Sequence, residues 1–155
     1  TLLIDHRLDI RNADAIAGVI AAEQPDVIFH LAAQPLVRES YNEPLATFAT
    51  NALGTAHVLE VIHSIESIRS VVCITTDKVY ENVGDGRAYA ETDRLSGHDP
   101  YSASKVCAEM VARAYHASYE TLEREVGIAT ARAGNVIGGS KYVGFPFFDM
   151  AEFID

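Results

Sequence analysis

Basic residues are scarce. Twelve Lys and Arg stand against 22 Asp and Glu, a formal net charge of -10 at pH 7. Neither a phosphate backbone nor an anionic lipid surface attracts such a chain, so nucleic acid and membrane are excluded as expected partners and the acidic excess reads as solubility. Cysteine is rarer still. The two present, Cys73 in a predicted strand and Cys107 on a predicted helix, have no metal or redox spacing and point to a reducing, cytoplasmic setting. No secretory h-region, spanning apolar run, internal repeat or low-complexity segment is expected. His6, His30, His57, His63, His98 and His116 show no ligand spacing, so no metal is expected and each reads as a satisfied or exposed side chain.

What is present fits one domain, since 155 residues can bury a core. Leu2 to Ile10 reads as a strand of mixed quality, with His6 at its edge. Asn12 then suits the cap of a helix over Ala13 to Glu23. Asp9 fits a strand end or the start of a turn. After the Pro25-Asp26 turn, Val27 to Leu31 is a continuous apolar strand of the kind a parallel sheet covers on both faces. The small residues Ala32-Ala33 suit either a tight turn or the close approach of a ligand to the backbone.

Pro35 to Tyr41 reads as a loop open to substrate, and Asn42-Glu43-Pro44 begins a long amphipathic helix to about Ser64. Gly54 inside that helix costs about 1 kcal/mol relative to Ala, which argues for close packing there. Val71 to Ile74 is a buried strand. Glu81 to Asp99, rich in Gly, Asp and Asn, reads as a surface or substrate-covering loop. A helix from Pro100 to about Glu125 and a strand from Ile128 to Arg132 complete the pattern, with Asn135 just past the strand's carboxyl end.

Two segments carry chemistry. Thr76, Asp77 and Lys78 follow the Val71 strand, at the edge where open α/β sheets place ligands. Asp99 and Pro100 suit the cap and first position of the next helix, and Tyr101 and Lys105, four residues apart, share one of its faces. A phenol with a reference pKa near ~10 is a poor base, but an ammonium beside it favours the phenolate. Tyr101 is then a candidate proton acceptor. Read without that partnership, Asp77-Lys78 is an exposed ion pair at a strand end.

These residues resemble the extended short-chain dehydrogenase/reductase family, whose triad is a Ser or Thr after a strand plus Tyr-x-x-x-Lys on the following helix. Thr76, Tyr101 and Lys105 match it. Asp77 resembles the acidic residue that nucleotide-sugar 4,6-dehydratases carry after the catalytic Thr, and Lys78 is similar to the CDP-glucose branch, where other branches have Glu. The segments HLAAQPLVRESY, TTDKVYEN, GHDPYSASK and ARAGNVIGG extend the resemblance from about Asp9 to Gly139.

The resemblance implies a doubly wound, parallel, Rossmann-like α/β fold with NAD as cofactor and a nucleotide sugar as substrate. It implies catalytic roles for Thr76, Asp77, Lys78, Tyr101 and Lys105. On the cofactor side it implies Asp9 and Ile10 at the adenine, Leu31, Ala32 and Ala33 along the ribose and pyrophosphate, and Asn51, Tyr101 and Lys105. Near the sugar it implies Thr76 and Asn135. It also implies a homo-oligomer, in the full-length form, built through the two long helices.

The family's first strand, Gly-rich turn and helix have no counterpart here, because no G-x-x-G-x-x-G segment occurs. A partial NAD-binding domain over 1–139, a divergent tail over 140–155 and no carboxyl-terminal substrate domain are therefore expected. A fragment of this kind would leave the Val27 strand with an open, association-prone edge. An epimerase or another sugar-nucleotide dehydratase is the alternative within the class, and an inert truncated module is the alternative outside it.

Overall fold

The computed structural model describes residues 3–134. Asn135 and the tail 140–155 lie outside the described residues. Helix α1 (Ala13–Glu23) starts where Asn12 accepts the Ala15 amide on its side-chain oxygen at 3.1 Å. Strand β1 (Val27–His30) follows, then a short helix α2 (Val37–Asn42) and the long helix α3 (Pro44–Ser64). Strand β2 (Ser70–Thr76), helix α4 (Pro100–Thr121) and strand β3 (Gly127–Ala133) complete the described elements.

The sheet is parallel throughout, in the order β1-β2-β3, with Val27 opposite Ser70 and Ser70 opposite Gly127. Helices must therefore cross over it, and α3 and α4 do so. Between them and the sheet face bearing Val71 and Cys73 lies the core of Leu59, Ile62, Ile65, Ile68, Ala112, Tyr119 and Val126. Leu59 and Ile62 are fully buried, and truncating either to Ala would cost about 2–5 kcal/mol. The opposite face is open at β1, where Phe29 is 65% exposed, so the two-sided cover expected of that strand is not present among the described residues.

Several expectations need correction. Residues 3–10 form no strand, their backbone groups being paired with no strand among the described residues. His6 instead pairs with Glu23 at 2.9 Å. Val37–Asn42 is a helix rather than loop, its Ser40 hydroxyl donating to the Val37 carbonyl at 2.6 Å. Helix α4 stops at Thr121, short of Glu125, and the Arg124 guanidinium turns back to the Ile65 carbonyl at 2.7 Å. Helix α3 is long and apolar enough, by length and composition alone, to cross a membrane, contrary to the expectation of no such run. In this fold half of that stretch is buried against the sheet and the other helices.

Gly54 has the packing reason its cost demanded. A Cβ there would stand 3.0 Å from Ile10 Cγ1, so the glycine lets the amino-terminal segment lie on α3.

Candidate active site

Thr76 ends β2 and caps a 3₁₀ turn, Asp77–Val79, accepting the Lys78 amide at 3.3 Å. Its hydroxyl donates to Asp77 Oδ1 at 3.1 Å. Asp77 and Lys78 are exposed, while Thr76 is buried. A side chain on Gly134 would stand 3.3 Å from Asp77 Oδ2, so the glycine after β3 gives the carboxylate its room. The carboxyl ends of β2 and β3 thus meet around Asp77.

The start of α4 is fixed from both sides. Asp99 accepts the Ser102 amide at 2.9 Å, and the Asp99 amide donates to Ser102 Oγ at 3.1 Å, a reciprocal cap. Gly97 lies against the first turn so closely that a Cβ would come within 2.3 Å of Ala103 backbone atoms. These contacts set where Tyr101 stands. Tyr101 is 9% exposed, and its phenol lies in the field of Asp77 and Asp99.

Lys105 reaches from α4 to the sheet. Its Nζ donates to the Ile74 carbonyl at 3.1 Å, and its charge is felt by His30 and Cys73 on the neighbouring strands. Burial lowers the Lys105 pKa and raises that of Tyr101; for the phenol, Thr76 pulls downward while Asp77 and Asp99 push upward. The net shift of the phenol is upward, with burial its largest cause and Lys105 not among the causes.

The residues read as cofactor-side divide into two groups. Ile10, Leu31 and Ala32 line an apolar recess of about 210 Å³ beside α1 and β1, together with Ile16, Ile28 and Val58. Asp9 is committed locally: it accepts the Arg11 amide at 2.9 Å and grips the Arg11 guanidinium, whose hydrogen bonds hold its pKa down at about 2.

Asn51 occupies a π-turn, Ala49–Leu53, inside α3. Its carboxamide holds the backbone of Gln34 from both sides, at 2.8 and 3.1 Å, and donates to Ser104 Oγ at 2.9 Å. Ser104 in turn donates to the Tyr101 carbonyl at 2.6 Å. Asn51 therefore ties the loop containing Ala32 and Ala33 to the helix containing Tyr101. Beneath it, Thr55 donates to the Asn51 carbonyl at 2.7 Å, which leaves His30 Nε2–H to donate to Thr55 at 2.9 Å.

Sequence reasoning missed Glu109 and Arg132. The Glu109 carboxylate, 4% exposed, takes the Arg132 fork through Nε at 3.0 Å and Nη2 at 2.9 Å, and accepts the hydroxyls of Thr75 and Thr130. Burial pushes this carboxyl up, but the bonds from Arg132, Thr75 and Thr130 outweigh it and the net shift is downward. A signal did exist: a Glu on the sheet-facing side of an amphipathic helix and an Arg within an apolar strand each need a buried partner of opposite charge.

A parallel sheet crossed by helices, with Thr76, Tyr101 and Lys105 on the elements at its carboxyl edge, is the Rossmann-type α/β arrangement. Residues 3–136 match the GDP-mannose 4,6 dehydratase family. The chain belongs to that family. Among curated relatives, the CDP-glucose 4,6-dehydratase of Salmonella typhimurium is 45% identical over 147 residues, covering 91% of this chain and 40% of its own length.

Solved structures agree on the fold. RMD from Pseudomonas aeruginosa, complexed with NADPH, has a TM-score of 0.75 and 28% identity, covering 93% of this chain and 48% of that one. The dTDP-glucose 4,6-dehydratase DesIV of Streptomyces venezuelae, solved with NAD and TYD, has a TM-score of 0.66 and 34% identity, covering 73% and 34%. The chain thus spans less than half the length of each of these three proteins.

Proposed function

We propose that the chain is the catalytic portion of a nucleotide-sugar 4,6-dehydratase that converts CDP-glucose to its 4-keto-6-deoxy sugar using bound NAD. The observation that carries this reading is the bond from Lys105 on α4 to the Ile74 carbonyl at 3.1 Å, which holds the helix of Tyr101 to the strand that ends in Thr76, itself bonded to Asp77. The choice of CDP rests on the Salmonella relative and on Lys78 after Asp77.

The residues present fit NAD at both ends. The apolar recess of Ile10, Leu31 and Ala32 suits adenosine, and the exposed backbone at Ala32 suits close approach by the ribose and pyrophosphate. Ala33 continues that path, Asn51 holds it, and Tyr101 and Lys105 stand where the nicotinamide end would be held. On this reading residues 1–139 belong to the cofactor-binding domain, and Asn135 is assigned to the sugar.

NAD, when bound, supplies a hydride acceptor that later returns the hydride. Tyr101 takes the proton of the sugar 4-hydroxyl, with Thr76 hydrogen-bonding the same oxygen and Lys105 holding α4 to β2. The carbon-4 ketone then acidifies the carbon-5 proton. Lys78 removes that proton, Asp77 in its acid form protonates the 6-hydroxyl, which leaves as water, and Lys78 returns a proton to carbon 5 as the hydride is delivered to carbon 6. Both proton carriers for this second stage are exposed at one strand end, where a bound sugar can reach them. An epimerase would share Thr76, Tyr101 and Lys105 but would have no use for Asp77 and Lys78.

For the complete protein we assign a homo-oligomer formed through α3 and α4. Leu45 and Leu53 on α3 are 83% and 58% exposed, and Met110 on α4 is 41% exposed, an apolar surface that favours cover. A reducing compartment suits the two unpaired cysteines.

The test is incubation of the complete protein and NAD with CDP-, UDP-, GDP- and dTDP-activated hexoses, followed by mass spectrometry. Fastest loss of one water from CDP-glucose is expected. Faster loss from another nucleotide would overturn the base assignment alone, and loss from none would overturn the reaction class.

A further inference from the structure

The reaction proposed above makes no use of the buried Glu109–Arg132 pair. Its side chains are 4% and 12% exposed, and every oxygen of the carboxylate is engaged. The free end of the guanidinium, Nη1, donates to the Tyr80 hydroxyl and the Glu91 carbonyl, each at 3.0 Å, and the group lies 5.0 Å over the Tyr80 ring. Tyr80 stacks in turn on Tyr89, with centroids 4.7 Å apart. Stability alone is a poor reason for burying such a pair, because desolvation cancels much of the attraction and an apolar pair often does as well.

Geometry is a better reason. Thr75, bonded to Glu109, immediately precedes Thr76. Glu109 stands one helical turn beyond Lys105 and two beyond Tyr101, on the same face of α4. Tyr80, bonded to Arg132, closes the turn that holds Asp77 and Lys78 and begins the segment 81–99, whose ends are pinned by Glu81 N to Arg94 O and Ser96 N to Val79 O, both 2.8 Å. One guanidinium–carboxylate pair, on α4 and β3, therefore touches β2 next to Thr76, the residue that follows the Asp77–Val79 turn, and the segment 81–99.

We propose that Glu109 and Arg132 are positioning residues for this reaction: their fork fixes Thr76 on β2 against Tyr101 and Lys105 on α4 and seats the segment 81–99 beside them. The proposal rests on the reading of Thr76, Tyr101 and Lys105 as the reacting groups. A rigid fork suits the task because two parallel bonds fix distance and orientation together, which an ammonium cannot do. Misplacement of reacting groups by about 1 Å costs up to about 100-fold in rate.

The test uses the complete protein, NAD and CDP-glucose, read as single-turnover nicotinamide reduction and as thermal midpoint. Arg132→Lys keeps the charge and loses the fork; reduction is expected to slow by about tenfold or more while sugar-nucleotide affinity stays within about threefold. Ile68→Val and Ile68→Ala, in the core away from the site, supply comparators that bracket its loss of thermal midpoint. A variant slower than a core variant of equal midpoint supports positioning, and one that merely matches it overturns the proposal. Should Arg132→Lys fail to fold, Thr75→Val, which is nearly isosteric and removes one donor to Glu109, decides the matter: slowing by about threefold supports, and an unchanged rate overturns. Absence of reduction by the parent with any nucleotide sugar would overturn the reading of the site and this proposal with it; reduction by parent and variants at equal rates would overturn this proposal alone.

Discussion

The ammonium of Lys105 donates to the carbonyl oxygen of Ile74, two residues before Thr76, at 3.1 Å. The bond fastens helix to strand within the site, and Lys105 is not among the influences on the Tyr101 phenol. Burial, the largest influence on that phenol, raises its pKa above the ordinary 10. A difference titration of tyrosinate absorbance, parent minus Tyr101→Phe without cofactor, is expected to show ionisation above pH 10. A midpoint below that value would mean that Lys105 outweighs burial after all.

In turnover by the complete protein, Tyr101→Phe is expected to abolish sugar oxidation while fold and nucleotide binding change little, since one hydroxyl at a helix start contributes little packing. Retention of activity within about twofold of the parent would remove Tyr101 from the role of base.

Lys78 stands on the exposed turn beyond Thr76 and is assigned to the second stage only. Lys78→Ala is expected to reduce bound NAD with CDP-glucose and then stall, giving lasting nicotinamide absorbance and no solvent deuterium at carbon 5. Deuterium incorporated at the parent's rate would show that another group takes the proton.

His30 gives a pH dependence with a definite sign. Burial first, then the Lys105 charge, lower its pKa from 6.5 to about 4. As pH falls below 6.5 the unfolded chain binds a proton that the folded chain refuses, so stability is lost down to about pH 4 and the group is neutral in its effect above 6.5. The whole span is worth about 3 kcal/mol. In His30→Gln the stability deficit relative to the parent is expected to shrink on acidification from about pH 7 to about pH 4, as read from denaturant midpoints. A deficit constant over that range would show that the imidazole titrates normally.

Local signals made much of this legible in the sequence. Asn12 and the apolar spacing after it placed α1 at its observed ends, and Asp99-Pro100 placed the start of α4. Thr76 and Tyr101, far apart in the chain, were matched to one site by their motifs, and the Lys105 bond to the Ile74 carbonyl holds their helix and strand together. Long-range effects were less legible. The strand expected before Ile10 needed a neighbour to bond, and the helix at Val37–Asn42 buries only Ser40, so it carries no apolar periodicity to read. The direction of the Tyr101 shift depends on burial and on where Lys105 points, neither of which a four-residue spacing specifies. The Glu109–Arg132 pair joins residues 23 positions apart and becomes evident only once helix and strand face each other.

The central claim is that one hydride leaves carbon 4 and returns to carbon 6 of the same sugar at the site formed by Thr76, Asp77, Lys78, Tyr101 and Lys105. The most direct measurement supplies the complete protein with CDP-glucose deuterated at carbon 4 and locates the label in the product by NMR. Deuterium at carbon 6 of a 4-keto-6-deoxy product, with no net consumption of NAD, is the predicted result. Deuterium retained at carbon 4 or accumulated in free reduced cofactor would contradict the account.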